Sequence, residues 1–242
     1  MEPGFLFLFY KYCYVPQGVQ KVELVRCITP NRQIMRNVIQ SVREALLTNF
    51  RELDTWFEKD FDLLHFKPDT DQWNIREVLE HISLTNYFLL LIINKSTRRA
   101  LDRRHAAKSI IIPADYMEKF DKIDVIGSRS FEWVRPEHLE PSGLQDMRDV
   151  RALLKQQFAQ CMYNLSLLKN GEGMLVLTNL SVNHLGKLDI YQYIYFLTKH
   201  IERHIRQMQR LAKEYEGAVE EDVQSSRILN AADEEAESML LI

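Results

Sequence analysis

The stretch from Leu188 to Leu211, LDIYQYIYFLTKHIERHIRQMQRL, decides how this chain folds. Its residues Ile190, Ile194, Leu197, Ile201, Met208 and Leu211 recur at the three- and four-residue steps that line one face of an α-helix. Start signals stand in front of it: Asp189 as N-cap with Gln192 at the third helical position, and Leu188 and Tyr193 as the flanking apolar pair that fixes the entry angle. Counting about 100° per residue from Leu197 at the centre of the stripe, His204 falls about 20° away and His200 about 60° away. A buried polar group without a partner costs roughly 1 to 3 kcal/mol, so imidazoles on this face need hydrogen bonds or a cation.

The same grammar appears upstream. Thr29 and Pro30 are an N-cap and a first-position proline, predicting helix one from there to a point before Pro68. Its stripe is Ile34, Val38, Val42, Ala45, Leu46, Phe50, Leu53, Trp56 and Phe57. Asn74 and Glu77 form a capping box, with Trp73 and Val78 as its staple, and open a helix two expected to run to about Ser96. That helix is apolar nearly all round from Phe88 to Ile93, which predicts burial. A connection from about Arg98 to Pro141 is too long for a plain loop and should contain short helical turns. Ser142 and Gln145 read as a third capping box, opening helix three with the stripe Leu144, Met147, Leu154, Phe158, Cys161, Leu165 and Leu168; Asn170-Gly171 stops it. Residues 174 to 187 read as a partly buried loop.

Four long amphipathic helices predict an all-α four-helix bundle with a long connection between helices two and three. The expected division is an N-terminal extension over 1–29, the bundle domain over 30–217 and an acidic, solvated C-terminal tail over 218–242, where Glu220, Glu221, Asp222, Asp233, Glu234, Glu235 and Glu237 face a single Arg227. The closing apolar residues Met239 to Ile242 carry no separate expectation of docking.

Composition narrows the function. A formal charge of −3 in 242 residues offers no pull towards nucleic acid. The apolar opening Met1 to Tyr14 lacks a positive leader and a small-residue cleavage site, so it does not read as a signal peptide. The longest unbroken apolar run, Tyr87 to Ile93, falls far short of the roughly 20 residues that span a bilayer. Cys13, Cys27 and Cys161 are odd in number, far apart and without a C-x-x-C pair, so neither a disulfide framework nor a cysteine zinc site is indicated, and a reducing cytoplasm fits best.

His200 and His204 have the i, i+4 spacing by which two helical imidazoles reach one ion. A third ligand should come from a neighbouring helix, and His81, beside Val78, Thr85 and Phe88 on helix two, is the best placed. An H-x-x-x-H alone arises often by chance, and a single buried histidine is usually hydrogen-bonded to protein. The weight lies in the combination. Gln207, one turn past His204, is placed to orient a ligand from behind, although a bundle-edge glutamine has the same pattern. Glu77 is explained by its capping role. His184 reads as a packed turn residue, and His65, His105 and His138 lie in loops or flanks. The basic residues Lys95, Arg98, Arg99, Arg103, Arg104 and Lys108 follow the expected end of helix two, where positive charge complements the helix dipole; an anionic substrate or thiol cofactor is the alternative use.

Trp73 to His81, WNIREVLEH, resembles the W-S-x-x-E-x-x-x-H opening of the second helix in DinB-like proteins, and Asn183 to Leu188 with His200 to Gln207 resembles that family's H-P-x-G turn and H-x-x-R-H-x-x-Q helix. The resemblance covers about residues 30 to 215. Asn74 replaces the usual Ser and still caps; Leu185 replaces Pro, which should loosen the turn before helix four. The resemblance implies an unusually wound four-helix bundle in which His81, His200 and His204 hold a divalent metal, zinc or nickel, and in which some members transfer thiol cofactors.

Three neutral nitrogen ligands leave a coordination position open, as in reactive rather than purely structural sites. The expected function is a metal-dependent transferase or hydrolase that activates a low-molecular-weight thiol or water, acting on a small-molecule substrate, without nucleic-acid or membrane partners; assembly as a homodimer is compatible with it. The alternative is a non-catalytic module that the metal stabilises and that binds a partner.

Overall fold

Two helix starts form as their cap residues dictate. Asn74 Oδ1 accepts from the Glu77 amide at 2.9 Å while the Asn74 amide donates to Glu77 Oε2 at 2.8 Å. Asp189 and Gln192 repeat the exchange at 2.9 and 3.1 Å. The computed structural model describes residues 21–106, 110–113, 115–127, 139–178 and 185–240, with the backbone alone for 21–32, 226 and 228–240. The apolar opening Met1 to Tyr14, Lys108, His138, Asn183, His184 and the last two residues lie outside the described residues.

Helices α1 (Lys21–Thr55), α2 (Phe61–His65), α3 (Ile75–Arg104), α4 (Tyr116–Asp124), α5 (Met147–Leu167) and α6 (Ile190–Leu240) account for most of the described chain. The fold is all-α, as expected, but the expected count of four helices is too low: α2 and α4 are additional short helices flanking four long ones. Helix α1 packs on α5 and α6, and α3 packs on the same two, so the first two long helices stand diagonally and the ring runs α1, α6, α3, α5. Helix α4, within the long connection, lies on α6, which meets the expectation of helical turns there.

The core forms where the stripes predicted it. Val38, Val42, Leu46 and Leu53 of α1 meet Ile194, Leu197, Ile201 and Met208 of α6, Leu154, Cys161 and Leu165 of α5, and Val78, Leu79, Ile82 and Ile93 of α3, all in one buried cluster. Polar groups tie the helix seams: Asn49 donates to the Thr198 carbonyl at 2.8 Å, Gln157 to the Ser83 carbonyl at 2.9 Å, and Asn164 to Asn94 at 2.7 Å. On the outside, Arg151 of α5 grips Asp54 of α1 through two bonds of 2.8 and 2.9 Å, and that bond to Arg151 holds the Asp54 carboxyl below its ordinary range.

Several boundaries differ from the sequence reading. Helix α1 starts at Lys21 and runs through Pro30, because a proline removes one amide donor yet keeps a φ compatible with helix. Ile34 is 40% exposed and leaves the stripe. Helix α3 continues two turns past Ser96 to Arg104, since neither Gly nor Pro interrupts it, and Lys95, Arg98 and Arg99 lie within it rather than beyond it. Burial around Phe88 to Ile93 is partial: Leu89, Leu90 and Ile93 are buried, while Leu91 is 51% exposed. Helix α6 passes Gly217 and ends at Leu240, because an interior glycine costs only about 1 kcal/mol relative to alanine.

The predicted Ser142 capping box does not form. Helix α5 begins at Met147 with Asp146 as its cap, the carboxylate accepting from the Arg148 amide at 2.8 Å. Leu144 is 87% exposed outside the helix. Ser142 is drawn instead to a buried carboxylate on α3. Helix α5 ends at Leu167 with Leu168 as its C-cap, ahead of the Asn170-Gly171 stop that the sequence predicts, and Gly171, with a φ of +94°, instead opens the short 3-10 turn Glu172–Leu175. Ahead of α6, Thr178 donates its amide and hydroxyl to the Leu188 carbonyl at 2.8 and 3.0 Å; the expected loosening at Leu185 concerns a turn whose residues 183 and 184 lie outside the described residues.

Candidate metal centre

Capping at Asn74 sets the phase of α3 and capping at Asp189 sets that of α6, and the two phases turn His81, His200 and His204 towards each other. The three are 4%, 2% and 7% exposed. Each offers a ligand nitrogen, and these nitrogens all lie within 4.8 Å of one another. Ring centroids stand 4.5 Å apart for His200 and His204, 4.8 Å for His81 and His204, and 5.3 Å for His81 and His200.

Hydrogen bonds fix which nitrogen faces inward. His81 Nδ1 is 2.8 Å from the Leu139 carbonyl, which only accepts, so Nδ1 carries the hydrogen and Nε2 keeps its lone pair. His204 Nδ1 donates to Gln207 Oε1 at 2.9 Å, with the same result. The Nε2 atoms of His204 and His200 are 3.1 Å apart. Burial foremost, then the charges of His204, His81 and Arg203, hold His200 well below the ordinary histidine range, in the neutral form that ligates.

This donor set fits a divalent ion. Two nitrogens bound about 2.0 to 2.1 Å from one tetrahedral zinc are about 3.3 Å apart, close to the His200 to His204 spacing. With the hydrogen of His81 and of His204 on Nδ1, these two rings present Nε2 lone pairs to the centre, where His200 Nε2 stands 3.1 Å from His204 Nε2, and one divalent ion is a partner all three can share. Among the described residues this is the group of side chains able to hold a metal ion. Trp73 packs against His81 with ring centroids 4.8 Å apart, covering that flank.

The other residues singled out by sequence are used elsewhere. Glu77 keeps to its capping box and pairs with Lys67 at 2.9 Å. His65, at the end of α2, contacts the Phe61 carbonyl at 2.7 Å and Arg76 at 2.6 Å. His105 is the exposed C-cap of α3. Arg103 donates to the Leu175 carbonyl at 2.9 Å, and Arg104 lies 3.4 Å from Glu172, so part of the basic cluster anchors the segment after α5.

Sequence reasoning missed Glu80. Beside His81 and only 3% exposed, it accepts from the Ser142 amide and hydroxyl at 2.8 Å each and from the Gly143 amide at 2.9 Å. No local signal could have found it, because a glutamate within a helix reads as solvated and its partners lie over sixty residues away.

The chain is similar to the uncharacterized protein YuaE of Bacillus subtilis strain 168, with 27% identity over 179 residues that cover 70% of this chain and 98% of the relative. No solved structure matches it significantly. Residues 35–208, which include all three histidines and the four-helix ring that converges them, match one family throughout, and the chain belongs to the DinB superfamily.

Proposed function

We propose that this protein is a metal-dependent enzyme in which His81, His200 and His204 hold one divalent ion, zinc or nickel, for transfer or hydrolysis with a low-molecular-weight thiol or water. The observation that carries the reading is the convergence of three buried imidazoles, two of which are held by hydrogen bonds at Nδ1 that leave Nε2 as an inward lone-pair donor. A divalent ion on such ligands supplies a Lewis acid that makes a thiol or water easier to deprotonate near neutral pH. The chain's own part is to present neutral rings, to hold two of them by hydrogen bonds at Nδ1, and to keep bulk water from their flanks through Trp73 and the apolar core. The functional unit is the domain over 30–217, with 1–29 an extension and 218–242 an acidic appendage. Among the described residues no helix is long and apolar enough to cross a membrane, and a cytoplasmic location is part of the reading; the Cys161 thiol, pushed up to about 12 by burial, takes no part in the chemistry.

Protein purified without added metal should carry about one equivalent of ion, and should consume electrophiles in the presence of thiols or hydrolyse activated esters and amides. Metal without turnover of either kind across a broad panel sinks the enzyme reading. A second reading, a metal-stabilised interaction module, is favoured by the exposed surface of α6 over residues 216–225. Cobalt substitution separates the two, since a thiol entering the site adds a sulfur-to-metal charge-transfer band and an interaction module shows none.

A further inference from the structure

We infer that Glu80 is a positioning residue for the metal ligand His81, acting through the turn from Leu139 to Gly143. The inference rests on the three-histidine metal reading above and adds the device that holds one of its ligands.

Consecutive residues of α3 hold the two ends of one short turn. Glu80 takes three hydrogen bonds from its downstream end, the Ser142 amide and hydroxyl and the Gly143 amide, at 2.8, 2.8 and 2.9 Å. His81 donates Nδ1 to its upstream end, the Leu139 carbonyl, at 2.8 Å. Between them Pro141 fixes its own φ, so the turn transmits position rather than absorbing it. Gly143 has a φ of +71°, and a Cβ there would stand 3.2 Å from Glu77 Oε1, so the turn sits directly on α3 at a point where glycine is required.

A buried carboxylate is expensive unless its lone pairs are filled. Here they are filled by a turn that has no capping function of its own, since Asp146 caps α5. What the arrangement achieves is a fixed carbonyl opposite His81 Nδ1. That carbonyl selects the Nδ1–H tautomer and aims the Nε2 lone pair at His200 and His204. Without the carboxylate the turn loses its anchor, the carbonyl drifts, and His81 is free to place its hydrogen on either nitrogen.

The test uses the full chain labelled with ¹⁵N-histidine. Imidazole nitrogen–proton correlation spectra of metal-free protein report the His81 tautomer, and titration with zinc alone reports affinity. Wild type should show hydrogen on His81 Nδ1. Glu80→Ala should show mixed tautomers at His81 with His204 unchanged, and zinc binding weakened by roughly 10- to 100-fold, the usual effect of losing a group behind a ligand. Glu80→Gln should recover part of both, because its oxygen still accepts from Ser142 while its amide opposes the Gly143 N–H. A folded Glu80→Ala protein with the wild-type tautomer and zinc affinity overturns the inference. If that variant does not fold, Ser142→Ala decides, removing one of the three bonds: a shift in the same direction with zinc weakened about two- to tenfold supports it, and no change overturns it. If wild type binds no zinc the metal reading fails by itself, while the tautomer spectra still decide whether Glu80 positions His81.

Discussion

At the start of α6 the Asp189 carboxylate is 2% exposed and is used up by the chain itself, accepting from the Gln192 amide at 2.9 Å as its own amide donates to Gln192. Roughly 16 Å further along the same helix, His200 and His204 are equally buried but turn their Nε2 atoms towards each other and towards His81. Tyr191 in the first region is matched in the same way as Asp189, donating to the Leu168 carbonyl and accepting from the Gly173 amide. Gly173 lets the Tyr191 ring come so close that a Cβ would stand 2.6 Å from it. The second region gathers three groups of one kind. Burial alone therefore does not mark a site; a set of like Lewis bases aimed at one point does, because a single cation can serve all of them at once.

Breaking the comparison starts with the histidines. His204→Ala should reduce the metal content of purified protein from about one equivalent to a trace, an effect larger than the ~10- to 100-fold that outer partners contribute, with elemental analysis as the check. A fully loaded His204→Ala protein would make the cluster a structural one like its neighbour. At the Asp189 end the expected effect is on stability and not on metal. Burial raises the Asp189 carboxyl to about 6 against hydrogen bonds from the Gln192 and Tyr191 amides that lower it. The folded chain therefore holds that proton more tightly than the unfolded chain. Stability from this group is fully present below the ordinary value of about 3.9 and is lost as pH rises through about 6. Asp189→Asn keeps the capping oxygen and removes the charge, so it should gain on wild type by up to about 3 kcal/mol above neutrality and by nothing below about pH 3. Denaturant titrations at a series of pH values check this, and a pH-independent difference refutes it. Tyr191→Phe should cost about 1 to 3 kcal/mol by stranding the Gly173 amide and Leu168 carbonyl, with metal content unchanged.

The histidines were legible because helical spacing is a local property: with Leu197 at the centre of the stripe, His200 and His204 had to lie on or beside the buried face, and the staple at Trp73 fixed the phase of His81. The caps at Asn74 and Asp189 were legible for the same reason. Ser142 was misread because its pattern with Gln145 is the same as that of a cap, and what overrode it was a tertiary demand, the buried Glu80 carboxylate. Helix ends failed where nothing local forces a stop, at Ser96 and at Gly217. The diagonal placement of α1 and α3 left no trace in periodicity, since each stripe reports that a face is buried and not which helix covers it.

The smallest expected effect is at Gln207, where the contrast between a closed and an open cluster is finest. Its Oε1 accepts from His204 Nδ1 at 2.9 Å, so it does for His204 what the Leu139 carbonyl does for His81. Unlike Leu139, it is a side chain on the same helix as its histidine and needs no turn to position it. Gln207→Ala should leave the bundle's melting temperature without metal within a degree or two, since the residue is only half-buried and surface changes usually stay within about 0.5 kcal/mol. Zinc affinity should nevertheless fall by about tenfold. Gln207→Glu should restore it or tighten it, because a carboxylate accepts the same hydrogen and makes the opposite nitrogen more basic. If Ala and Glu variants bind zinc equally, Gln207 is a bundle-edge residue whose contact with His204 has no consequence for the metal.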